Sequence, residues 1–250
     1  MDIKYLACSD LQFPLHDQRA LDLWLKVLKK FKPDYVDLVG DLDDSDSVSR
    51  WAEGTPDALI SVNAAGAKDT REFLKTVRQY APDADIHLFD GNHGWTRHEQ
   101  YLAKNAPQYR EQITPNTLYG HEDLDVKFHY YQDLPFNRFN DMYIHHGNAV
   151  SKHSGGSVQS DMESWGVSLI RGHSHRMGTY FKTYELTGTE LEGYEIGHLM
   201  DVKKCDYTNV RNWQQGFLYG HVDTDAGVHF LKLVKIKNYT CYVNGVRYES

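Results

Sequence analysis

The chain has 250 residues, 27 Lys and Arg against 35 Asp and Glu, a formal net charge of −8, and 40% hydrophobic residues. That length buries a sizeable core without staples, and the acidic balance excludes a protein that coats nucleic acid by charge alone, though not a nuclease that carries metal charge. No run nears the ~18 apolar residues of a membrane span, and the first ten residues lack the layout of a secretory leader, so a cytoplasmic protein with no membrane partner is expected.

In chain order, Ile3 to Ser9 is a short apolar run ending at Asp10 and reads as a first strand. A helix is predicted from about Asp17 to Phe31, because Leu21, Trp24, Leu25 and Leu28 recur at helical spacing and Pro33 stops it. Tyr35 to Val39 is a second strand ending at Gly40-Asp41. Thr70 to Tyr80 is a second helix with Phe73, Leu74 and Val77 on one face, and Asp85 to Phe89 is a third strand ending at Asp90. This order predicts parallel neighbours with helices packed outside. The second half holds short apolar runs, Met142 to Ile144 and Val167 to Ile170. β-rich stretches follow at Thr179 to Leu186, Phe217 to Val222, Val228 to Ile236 and Thr240 to Tyr248. Asn244-Gly245 marks a hairpin in the last of these. With no internal repeat or linker, residues 1–250 read as a single domain: motifs at 10–175 and a β-rich completion at 178–250.

Three cysteines, Cys8, Cys205 and Cys241, are too few and too scattered for a disulfide framework or a thiolate zinc site. The 14 histidines are the unusual feature, because several close apolar runs. Five polar clusters share that placement: Asp10-Leu11-Gln12, Gly40-Asp41-Leu42-Asp43-Asp44, Gly91-Asn92-His93, His145-His146-Gly147 and Gly172-His173-Ser174-His175. Loops at the carboxyl ends of parallel strands converge on one crevice. Carboxylate, amide oxygen and imidazole together suit divalent ions such as Mn, Fe, Zn or Mg rather than thiophilic ones. Each cluster alone is equally a turn or a cap; the ordered set of five is what points to a site.

That ordered set resembles the calcineurin-like metallophosphoesterase family, whose motifs run D-x-H, GDxxD, GNH-[DE], a His before Gly, and GHxH. The segment Asn212-Trp213-Gln214-Gln215-Gly216-Phe217 resembles phage and bacterial members. The resemblance implies a four-layer αββα sandwich with mixed parallel and antiparallel sheets. It implies two divalent metal ions, Mn2+ first, with Mg2+, Fe2+, Ni2+ or Zn2+ as alternatives. Asp10, Gln12 and His175 would hold the first ion and Asn92, His146 and His173 the second, with Asp41 shared. His93, with Asp44 behind it, would act at the scissile bond, with Asn92 beside the phosphate; Arg97 and His98, which follow at the expected start of a helix, read equally as phosphate contacts or as a solvated helix face. His145, next to His146, should point to the opposite side. The implied activity is hydrolysis of a phosphodiester, a nucleotide or nucleic-acid end, by metal-activated hydroxide in the host cytoplasm of a phage. A phosphomonoesterase or protein phosphatase with the same site, and a non-catalytic scaffold of the same fold, are the alternatives.

Two positions depart from the motif string. Gln12 stands where the family has His, which predicts weaker binding at the first ion and a preference for Mn2+ or Mg2+ over Zn2+. Gly94 stands where the family has an acid, which leaves Asp44 as the group to orient His93. Trp51 and Trp95 are candidate base-stacking rings, and the segments 45–62 and 107–140 are candidate walls of the cleft. His16 and His153 read as loop histidines. The lysines at 26–32 and 232–237 read as solvated faces.

Overall fold

The computed structural model describes residues 2–139, 141–205 and 211–250. The first half alternates β1 (Asp2–Cys8), α1 (Gln18–Phe31), β2 (Tyr35–Val39), α2 (Lys68–Tyr80), β3 (Asp85–Phe89), α3 (Trp95–Asn105), α4 (Pro115–Tyr119) and β4 (Val126–His129). The second half runs β5 (Phe136–Phe139), β6 (Met142–Ile144), α5 (Gly156–Trp165), β7 (Ser168–Arg171), β8 (Met177–Tyr184) and β9 (Thr189–Ile196). It closes with β10 (Gly216–Asp223), β11 (Val228–Lys235), β12 (Thr240–Val243) and β13 (Val246–Glu249).

Local chemistry sets the boundaries. Asp17 caps α1 by accepting from the backbone N–H of Arg19 and Ala20, and Lys32 ends it in the left-handed region just before Pro33. Asn244 and Gly245, both at positive φ, turn β12 into β13.

Two sheets form. One has the order β11-β10-β1-β2-β3-β4, with β1 to β4 parallel; the other has the order β5-β6-β7-β9-β8, with β6, β7 and β9 parallel. Alternation along the strands divides their side chains. Leu6, Cys8, Val36, Leu38, Ile86 and Leu88 face α1, α2 and α3. Tyr5, Ala7, Val39 and Phe89 face Ile144, Ile170, Tyr194 and Ile196 of the second sheet. Beyond that sheet α5 buries Val158 and Met162 against Leu169 and Leu191. The architecture is therefore the expected four-layer αββα arrangement with mixed sheets. No helix among the described residues is long and apolar enough to cross a membrane.

Three strands and two helices emerge where no element was predicted: β4, β5, β9, α4 and α5. α4, β4 and β5 fall within the stretch 107–140 expected to be a cleft wall, and Asn140, its last residue, lies outside the described residues. The N-terminus of α5 is held from far along the chain: the Glu195 carboxylate accepts from the N–H of Gly155 and Val158, at 3.0 Å each.

One buried charge ties the sheets together. Arg138, on β5, places Nε 3.0 Å from Asp37 Oδ1 and Nη1 2.6 Å from Asp85 Oδ2, while Tyr5 donates to Asp37 Oδ2 at 2.8 Å. Arg138→Met would leave the buried Asp37 carboxyl without its cation, either charged with only Tyr5 for a partner or forced to take up a proton. The variant is expected to lose about 3–5 kcal/mol, read as a lower urea midpoint with unchanged slope. A loss under about 1 kcal/mol, the scale of an exposed ion pair, would contradict the role.

Candidate metal centre

The five polar clusters follow β1, β2, β3, β6 and β7. They come from two facing sheets rather than one crevice of a single sheet, so the convergence depends on how the sheets pack. The loops are joined directly: Asp10 N–H donates to Gly40 O at 3.1 Å, Gly172 N–H to His146 O at 3.1 Å, and His173 N–H to Asp10 Oδ2 at 3.0 Å.

The backbone here is unusual. Asp10, Gln12, Asp41, His173 and His175 all have φ between 49° and 68°. Non-glycine residues seldom adopt this region, and such strain persists only where the surroundings enforce it. Two motif glycines are there for clearance. A Cβ on Gly40 would overlap the His146 ring, and one on Gly172 would overlap Ser9 Oγ and Asp10 Oδ2.

Asp41, His146 and His173 each offer a ligand atom, all within 4.8 Å of one another. Asp41 Oδ2 is 3.1 Å from His146 Nε2 and 3.3 Å from Gln12 Nε2, and Oδ1 accepts from His93 N–H at 3.0 Å. His146 Nδ1 is 2.8 Å from Val39 O, which fixes the ring and turns Nε2 inward. Alongside, Asp10 Oδ1 lies 3.1 Å from His175 Nε2.

Two oxygens in this cluster, Gln12 Oε1 and Asn92 Oδ1, are buried without a hydrogen-bond partner, and Asp10 Oδ1 and His146 Nε2 face only the ion-pair partners His175 and Asp41. Buried polar atoms are normally satisfied, because leaving one bare costs about 1–3 kcal/mol. Two bare amide oxygens beside two buried carboxylates and the His146 and His173 imidazoles form a donor set for a divalent cation, so the residues fit the implied metals. Gln12 follows the same logic: its amide nitrogen turns to Asp41 and Oε1 is left bare, the orientation that a ligating carbonyl oxygen requires.

Electrostatics keep the carboxylates charged. Burial alone would raise Asp41, but His146 and His93 pull it well below the usual range, and His175 lowers Asp10 in the same way. Burial pulls His146 down, but Asp41 outweighs it and pushes the ring up to about 9. His173 is depressed to about 3 by burial and by the neighbouring His146.

The groups expected at the scissile bond sit together at the rim. His93 Nδ1 is 2.8 Å from Asp44 Oδ1, so Asp44 supplies the contact that Gly94 cannot. Arg97 Nη2 is 3.2 Å from His93 Nε2, which requires that nitrogen to be unprotonated, and Nη1 donates to Asp44 O at 2.6 Å. His145 turns away, as expected, packing on Trp165 and Tyr131.

Other candidates stand elsewhere. Trp95 is 6% exposed within the helix-side core and is no stacking ring, whereas Trp51 is 71% exposed. His98 is buried and bonded to Ser45 Oγ at 2.8 Å. His16 packs on Phe13 and bonds to Gln18.

Residue-by-residue reading missed the supports. Arg171, fully buried, places Nη1 2.6 Å from Asp161 Oδ2, and Nε donates to Gly172 O at 3.1 Å. Asp161 in turn accepts from Asn148 and Ala149 N–H, which locks the loop after His146 to the loop carrying His173. Trp213 stands edge-on to His175, ring centroids 4.6 Å apart, and His198 packs beside both. Only Trp213 lay in a segment that had drawn notice.

No protein-family model matches the chain. Among solved structures, a Vps29 single mutant from Entamoeba histolytica aligns with 98% of this chain and 96% of its own, at 14% identity and TM-score 0.48. YfcE, a phosphoesterase from E. coli, aligns with 94% of this chain and 100% of its own, at 10% identity and TM-score 0.40. Among curated proteins, the Gene 54 protein of Mycobacterium phage L5 is 30% identical over 234 residues, 89% of this chain and 90% of that protein. The Gene 54 protein of Mycobacterium phage D29 is 30% identical over 228 residues, 87% and 88% respectively. The chain belongs to the family of these mycobacteriophage Gene 54 proteins.

Proposed function

We propose that the protein is a metal-dependent phosphoesterase that cleaves a phosphodiester, either a nucleotide or a nucleic-acid end. The observation that carries this reading is the cluster of Asp41, His146 and His173, with bare buried donor atoms around it. Asp10, Gln12 and His175 would hold one divalent cation and Asn92, His146 and His173 a second, with Asp41 shared. Cations bound there supply Lewis-acid charge to a phosphate oxygen.

The chain's own groups do the rest. The ligands bring two negative charges, from Asp10 and Asp41, against four from two dications, so the centre stays net positive although the protein is acidic. Arg97 adds a guanidinium beside His93 and binds the phosphate from that side. Asp44 accepts from His93 Nδ1 and fixes the ring; Nε2, which accepts from Arg97 in the free protein, would exchange that contact for a proton when a bound phosphate draws Arg97 away, and would then serve the leaving oxygen. The diester preference draws on the resemblance of the Asn212–Phe217 segment to phage and bacterial members of the resembled family.

The test is hydrolysis of a chromogenic mono-ester and bis-ester phosphate with Mn2+, with and without chelator. Chelator-sensitive turnover favouring the bis-ester is expected. Preference for the mono-ester would assign a phosphomonoesterase, and no turnover of either would assign a scaffold.

A further inference from the structure

A cavity of about 370 Å3 lies between α3 and the segment 46–59. α3 lines it with Gln100, Tyr101 and Lys104, and the facing segment with Ser47, Ser49 and Arg50. Arg97, Tyr101 and Lys104 fall at i, i+4 and i+7, on one face of the helix. At 1.5 Å per residue, Tyr101 is about 6 Å and Lys104 about 10 Å along the axis from Arg97. Arg97 touches His93 at 3.2 Å and lies 3.6 Å from Asp46, the residue before Ser47. The groove therefore begins one helical turn from the groups assigned to the phosphate.

Its chemistry selects among phosphate esters. A strand of nucleic acid needs unpaired cations along its path. Here Lys104 is paired with Glu53 at 2.7 Å, Arg97 is shared with Asp44 and Asp46, and Arg50 lies over the Trp51 ring at 4.6 Å. What the groove offers instead is a half-exposed Tyr101 ring, the Gln100 amide and the Ser47 hydroxyl, which has no partner of its own. An aromatic face beside such groups suits a base that stacks and bonds through its edge.

We propose that this groove seats the uncharged nucleoside of a nucleotide ester whose phosphate lies at the metal centre, with Tyr101 as the stacking ring. The proposal rests on the phosphoesterase reading for its catalytic half, so its test includes binding alone. Binding of thymidine 5′-monophosphate and of inorganic phosphate to the Mn2+-loaded protein is measured by calorimetry. kcat/KM is measured for p-nitrophenyl thymidine 5′-phosphate and for methyl p-nitrophenyl phosphate.

The nucleotide is expected to bind at least about tenfold tighter than phosphate. Tyr101→Ala should lower that ratio, and the nucleotide-over-methyl ratio of kcat/KM, about tenfold, with Tyr101→Phe restoring both. Equal binding of nucleotide and phosphate, or an equal loss on both esters in Tyr101→Ala, would overturn the proposal. So would an oligothymidylate that binds far tighter than the mononucleotide with a steep salt dependence. Nucleotide binding that depends on Tyr101 without turnover of any ester would support the groove and remove the hydrolytic reading.

Discussion

Asp41→Asn is expected to strip the protein of most of its divalent-metal affinity and to lower chelator-sensitive turnover by about a thousandfold or more, the scale of removing a transition-state electrostatic contact. The carboxylate is 3% exposed and carries more of the site than any other group. It faces His146 at 3.1 Å, accepts from Gln12 and His93, and shares the ligand cluster with His173. Asparagine keeps the shape and removes the charge. The replacement also leaves His146 without the carboxylate that holds its proton. Metal-dependent stabilisation reads the loss without any substrate: cation at a hundredfold its dissociation constant stabilises the parent by about 2.7 kcal/mol, and that gain should vanish in the variant. Undiminished metal-dependent stabilisation would remove Asp41 from the centre.

His93→Asn should separate chemistry from metal binding. The His93 ring bonds to Asp44 and Arg97, and its Nε2 is 4.0 Å from Asp41 Oδ2, outside the tight group formed by Asp41, His146 and His173. A general acid or base contributes about 10²–10⁴ in rate, so turnover is expected to fall by that factor while metal content matches the parent. Turnover within twofold of the parent would leave His93 without a catalytic part. Lost metal would instead make it a ligand.

The parts of the molecule that were readable beforehand are those whose causes are local. β2, β3 and β6 stand where apolar runs of three to five residues placed them, and Asp17 and Pro33 announced the ends of α1. The five polar clusters were legible because strand ends carry them in fixed order. What escaped depends on distant partners. β9 contains Gly193 and the fully buried Glu195, residues that read as turn and surface until α5 is packed against them. Arg171 and Asp161 read as ordinary surface charges until folding brings them together beneath two ligand loops. Trp51 and Trp95 were indistinguishable by type; only packing sends one outward and one into the core.

The account turns on the donor set proposed to hold two ions, including a glutamine where the resembled family has an imidazole. Elemental analysis of the protein after saturation with Mn2+ and removal of excess metal tests it most directly. Two manganese ions per chain are the predicted result, with Gln12 completing the weaker site. At most one per chain under saturating metal would contradict the two-ion centre.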